Sequence, residues 1–161
     1  MTSGSKTPPR ATPDTSTWRD RVPHRGSALL VSELLRHAGD ETACSVRIDE
    51  QELFRDEDGS VPAWIGLEYM AQCIAVHAAM LSESDEPPPL GFLVSARGLR
   101  FHCARFEPGQ RLEAVATRLW SGGGGLSSFA CLLRDAANGA LLAEGRIGCY
   151  VPPDAAAGAD A

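Results

Sequence analysis

Nineteen consecutive residues, Ala63 to Leu81, carry one formal charge, the carboxylate of Glu68. The run follows Pro62, whose fixed φ and missing N–H suit the first turn of a helix. Apolar residues fall on every side of the helical wheel, so the spacing predicts a helix over 63–81 that is buried all round. A carboxylate inside such a helix is costly unless it is neutral, paired or functional. Gln72 follows one turn later on the same face. That pair is where chemistry is expected.

A run of about 18 apolar residues is also long enough to cross a bilayer. Here Glu68, Gln72 and His77 fall along its middle, and ionisable groups in lipid are expensive. The flanks lack the Lys/Arg asymmetry that orients a span. No membrane span is expected, and a helix wrapped by a sheet is the better account.

The flanking sequence supplies the sheet. Ala28-Leu29-Leu30-Val31 reads as a short strand, and Thr42 to Ile48 alternates. After the helix, strands are expected within Leu90–Phe101, Gln110–Trp120, Leu126–Arg134 and Ala140–Val151, with Gly122–Gly125 and Asn138-Gly139 as turns. Asp49 to Asp58 holds six acids against Arg55 and reads as a solvated loop. Residues 1–17 and 152–161 have little to bury and read as disordered tails around one domain, 18–151. The order is two strands, one helix and four strands. An antiparallel sheet curled around one apolar helix buries both at once. This predicts an α+β chain of the hotdog fold, which pairs to cover its sheet edges.

A net charge of −6 argues against nucleic-acid binding, whose footprint is basic. The five cysteines show no ligand spacing, so neither a metal nor another cofactor is expected. An odd thiol count with no apolar leader fits a reduced, cytoplasmic protein.

Three stretches carry a family resemblance. Val22-Pro23-His24-Arg25 with Leu29-Leu30-Val31 resembles the Leu-Pro-His-Arg…Leu-Leu-Val-Asp opening of bacterial 3-hydroxyacyl-[acyl-carrier-protein] dehydratases. Val61-Pro62, then Glu68-Tyr69-Met70-Ala71-Gln72, resembles their Pro-Gly…Glu-x-x-Ala-Gln entry into the central helix. Leu99-Arg100-Phe101 followed by Pro108-Gly109-Gln110-Arg111-Leu112 is similar to their Ala-Arg-Phe…Pro-Gly-Asp-Gln-Leu stretch. Within the family the helix entry looks most like a divergent branch found with aryl-polyene and related fatty-acid-like pathways. The departures are specific. The histidine of a His-Phe-Pro-Gly run is Phe54 here, followed by Arg55-Asp56-Glu57. The Asp of Leu-Leu-Val-Asp is Ser32, and the glycine after the proline is Ala63.

The resemblance implies dehydration of an acyl-carrier-protein thioester. That reaction needs a base for the α-proton, an acid for the departing hydroxyl and donors for the enolate-like oxygen. Glu68, held protonated by burial, is the expected acid. Backbone N–H groups at Ile65-Gly66 are the expected oxyanion donors, with Gly66 giving the substrate close approach. Gln72 is expected to position Glu68. Trp64, Tyr69 and Met70 have core spacing, and Trp64 is also placed to line an acyl tunnel. The base is open between His24, His77, His102 and a partner's histidine, with His24 carried forward. His77 reads more simply as a core residue and His102 as an exposed one. Arg97, Arg100, Arg105 and Arg111 form a basic stretch suited to an acidic carrier protein and its phosphopantetheine phosphate. A solvated strand face is the plain alternative. Two other functions stay open: an incomplete hotdog subunit that pairs, as a homo- or heterodimer, with an active paralogue, and an acyl thioesterase.

Overall fold

Six strands wrap one helix in the computed structural model, which describes residues 18–83 and 88–153. The chain enters through a short helix, α1 (Trp18–Arg21), and a 3₁₀ turn, Gly26–Ala28. Strands β1 (Val31–Ala38) and β2 (Glu41–Arg47) then form a hairpin. A two-residue strand, β3 (Val61–Pro62), and a 3₁₀ turn over Ala63–Ile65 lead into the central helix, α2 (Gly66–Leu81). Next come β4 (Phe92–Phe101), the short β5 (Arg105–Phe106), β6 (Arg111–Ser121), β7 (Leu126–Asp135) and β8 (Leu141–Tyr150). The large sheet has the order β1-β2-β6-β7-β8-β4 and is antiparallel throughout. β3 pairs with β5 and pins the start of α2. This is the hotdog arrangement. No helix among the described residues is long and apolar enough to cross a membrane. The proposed tails lie outside the described residues, apart from Pro152 and Pro153.

The core forms where α2 meets the concave face of the sheet. Tyr69, Met70, Cys73 and Val76 are fully buried, at the spacing of one helix face. They meet Cys44 and Val46 from β2, Leu112 and Ala114 from β6, and Leu133 from β7. The helix is not buried all round, however. Trp64 is 65% exposed, and the stripe continues through Glu68, Ala71, Ala75 and Ala78. The sequence pattern records that this stripe is apolar, but it cannot say whether a sheet or another chain covers it.

The first strand also differs from expectation. Of Ala28–Val31 only Val31 is in the strand, and β1 runs on to Ala38 through a segment with few β-branched residues. Pairing with β2, not propensity, makes Glu33–Ala38 a strand. The loop before β3 is only partly solvated, since Glu52 and Ser60 are buried. Burial raises the pKa of Glu52 above the usual carboxylate range. At the far edge of the sheet, β4 leaves Phe92, Leu93 and Val94 exposed.

His77 is packed in the core, with its ring edge-on to Phe129 and its Nδ1 2.9 Å from Thr42 Oγ1. Thr42 Oγ1 also lies 2.7 Å from His37 Nδ1. Desolvation, helped by the nearby charges of His37 and Arg118, pulls the His77 pKa down from 6.5 to about 4. The folded state therefore binds fewer protons than the unfolded one between those values. Its stability should be full above pH 6.5 and fall progressively toward pH 4. Urea unfolding between pH 6.5 and 5 should show wild type losing about 1 kcal/mol per pH unit more than His77→Gln. Parallel pH profiles for the two proteins would contradict a neutral, buried His77.

Candidate active site

Gln72 organises the site from inside the helix. It is 1% exposed, and both ends of its amide are engaged. Oε1 accepts the Leu30 N–H at 2.8 Å and the Val31 N–H at 3.4 Å. Nε2 donates to the Ala28 carbonyl at 2.8 Å and to Glu68 Oε1 at 2.9 Å. The helix thus grips the turn entering β1 and fixes its own carboxylate with one side chain. A buried amide is costly unless paired, so the pairing holds the two segments together.

The same turn brings His24 across to the helix. Its Nε2 lies 3.5 Å from Glu68 Oε1. Its Nδ1 is buried and has no hydrogen-bond partner among the described residues. Glu68 Oε2 makes no hydrogen bond or ion pair among the described residues. The Glu68 side chain is 42% exposed, so the expected burial is not supplied by this chain alone. The two side chains stand in the wall of a groove of about 460 Å³. Ala71, Ile74, Ala75 and Ala78 of α2 form one side of the groove. Phe92, Leu93, Phe129 and Cys149 from the sheet form the other. Its volume and apolar lining suit a small organic chain.

Other expected site residues lie elsewhere. Gly66 faces the core: a Cβ there would come 2.6 Å from Leu133 Cδ1 and 3.1 Å from Phe106 Cζ. Its glycine serves helix–sheet packing, not substrate approach. Its N–H is already bonded to the Ala63 carbonyl, so it is not a free oxyanion donor. Ile65 is buried, with its side chain in the core. Trp64 projects outward, neither in the core nor in the groove lining. Tyr69 and Met70 are core. His102 is exposed, 3.3 Å from Glu144. Phe54 is exposed and does not line the groove.

The four arginines do not make one patch. Arg105 is bonded to Ser60 Oγ and paired with Asp56 and Asp58, so it staples the acidic loop to β5. Arg111 opens β6, which is three strands away from β4 in the sheet order. Arg97 and Arg100 remain exposed on the β4 edge. Sequence adjacency suggested a cluster that strand topology takes apart. The converse holds for His24 and Glu68, which sequence separates and folding joins. The groove's sheet wall was also missed, because Phe129 and Cys149 sit in strands with no local signal of function.

The ApeP-like family, described as ApeP dehydratase, matches residues 17–159. A chain of the ApeI:P dehydratase heterocomplex from Xenorhabdus doucetiae is 27% identical, with a TM-score of 0.75 over 83% of this chain and 90% of that one. Thioesterase superfamily member 2 from zebra fish is 21% identical, with a TM-score of 0.64 over 85% and 94%. A mutant thioesterase from Pseudomonas aeruginosa is 12% identical, with a TM-score of 0.65 over 89% and 97%. At these identities the two thioesterases share the fold alone. No curated relative matches the chain.

Proposed function

The chain belongs to the ApeP-like dehydratase family, and we propose on that footing that Glu68 and His24 together remove water from a 3-hydroxyacyl thioester on an acyl carrier protein. Its function is dehydratase-like, of the aryl-polyene pathway type. The observation that carries the residue assignment is the 3.5 Å approach of His24 Nε2 to Glu68 Oε1 beside an apolar groove.

The pair starts with one shared proton, on Glu68. His24 Nε2 takes the α-proton, and the electrons of that C–H bond form the new C=C bond. The C3–O bond breaks, and the hydroxyl leaves as water with the Glu68 proton. His24 is left protonated and Glu68 ionised. Return of the proton from His24 to Glu68 across the short gap restores the pair. Gln72, bonded to Oε1, fixes the carboxyl beside His24. Apolar walls exclude water and accept the acyl chain.

Pairing with a second hotdog chain would complete the groove. Two features of this chain support that: the apolar edge of β4 and the open stripe of α2. The related ApeI:P assembly is a heterocomplex, and a heterodimer is the reading we favour here. Covering the stripe would also desolvate Glu68. Arg97 and Arg100 on β4 are the cations left to meet an acidic carrier. All five cysteines are free thiols, which suits a cytoplasmic setting.

Glu68→Gln should keep the fold and lower dehydration of 3-hydroxyacyl carrier protein by about 10²–10⁴-fold, measured with the hotdog partner present. The same acyl group on free pantetheine should show a higher KM than on the carrier. The product should be the enoyl thioester. Release of free thiol would mark a thioesterase, no product an incomplete subunit, and full activity of Glu68→Gln would refute the assignment.

The assembly has its own check. Light scattering of the wild type with its partner should give a two-chain mass, and Val94→Asp on the β4 edge should shift it toward one chain. A wild type that stays monomeric beside every hotdog partner would contradict the shared interface.

A further inference from the structure

We propose that Arg25 is the positioning residue that holds His24 against Glu68, by binding the backbone carbonyls of the loop that carries the histidine. This rests on the reading of His24 and Glu68 as the reacting pair. The Arg25 side chain folds back over the residues before it. Nη2 donates to the Asp20 carbonyl at 2.8 Å. Nη1 donates to the His24 carbonyl at 2.8 Å and to the Val22 carbonyl, and shares one of those hydrogens with the Arg19 carbonyl at 3.3 Å. These four acceptors span residues 19–24, the end of α1 and the loop after it. Carbonyls at a helix end have no partner within the helix, and a planar guanidinium meets several at once.

Other contacts hold the two sides of the loop: Arg19 donates to the Ser32 carbonyl and Arg21 to the Ser82 carbonyl at 3.3 Å. Trp18 and Val22 are buried and anchor its start. Gln72 holds its exit, at Ala28 and Leu30. Between these anchors, Gly26 reverses the chain with a φ of +55°, a conformation glycine adopts without a steric penalty. His24 lies in the interval, and its own carbonyl is one of the four that Arg25 binds. Arg25 also lines the groove, but Nη1 and Nη2 are committed to backbone. A direct role in binding substrate is therefore the competing possibility. Lysine separates the two, because it keeps the charge but cannot span four carbonyls.

The test uses the full chain with its hotdog partner, comparing wild type with Arg25→Lys. Hydrogen exchange followed by mass spectrometry should show peptides within 19–30 exchanging about 10-fold faster in the variant, with sheet peptides unchanged. On 3-hydroxyacyl carrier protein, kcat should fall by about 10–100-fold while KM stays within about twofold. Unchanged exchange over 19–30 overturns the proposal. So does a raised KM with kcat kept, which would make Arg25 a substrate ligand. Faster exchange in a protein whose wild type does not dehydrate supports the clamp and defeats the dehydratase reading, so the two failures are distinguishable.

Discussion

The buried side-chain amide of Gln72 is the interaction on which the site depends. It joins the segment at Ala28–Leu30 to a helix far along the chain, and on that helix it holds Glu68 one turn back. Both the donor and the acceptor end are used, so removing either would strand a buried polar group. Such a loss costs about 1–3 kcal/mol. The amide is therefore a fastener that defines where β1 begins and where the carboxylate points. The same fastener fixes the exit of the loop that carries His24.

The helix has two faces with different partners. One face is filled by the sheet, down to Gly66, where even a methyl group would press on Leu133 and Phe106. The other carries Trp64, Glu68 and three alanines and is open in the single chain. An exposed apolar stripe beside an exposed apolar edge strand is a liability for a monomer. The same features make sense as one continuous contact surface. On the proposed function, groups placed along it would complete their environment only on assembly.

The helix and strand order were legible in the sequence because both rest on local periodicity and turn residues. The sequence offers His24 only as one candidate base, and its contact with Glu68 was not legible, since 44 positions separate them and no spacing rule spans that distance. What the sequence misplaced follows one pattern. Arg97, Arg100, Arg105 and Arg111 are neighbours along the chain, but antiparallel pairing sends them to three strands. Trp64 has core spacing, yet spacing does not say what fills the space opposite. Glu52 sits in an acidic run that reads as solvated, and only the folded loop buries it. Gly66 was credited to a ligand when a neighbouring leucine and phenylalanine require it.

On the proposed function, His24 and Glu68 act as one unit that passes a proton between them. A double-mutant cycle on the rate of dehydration tests this most directly, using His24→Asn, Glu68→Gln and the two combined. If the pair is one unit, the double variant should be no slower than the worse single variant, within about threefold. Losses that multiply in the double variant would mean the two residues act independently, and would contradict the account.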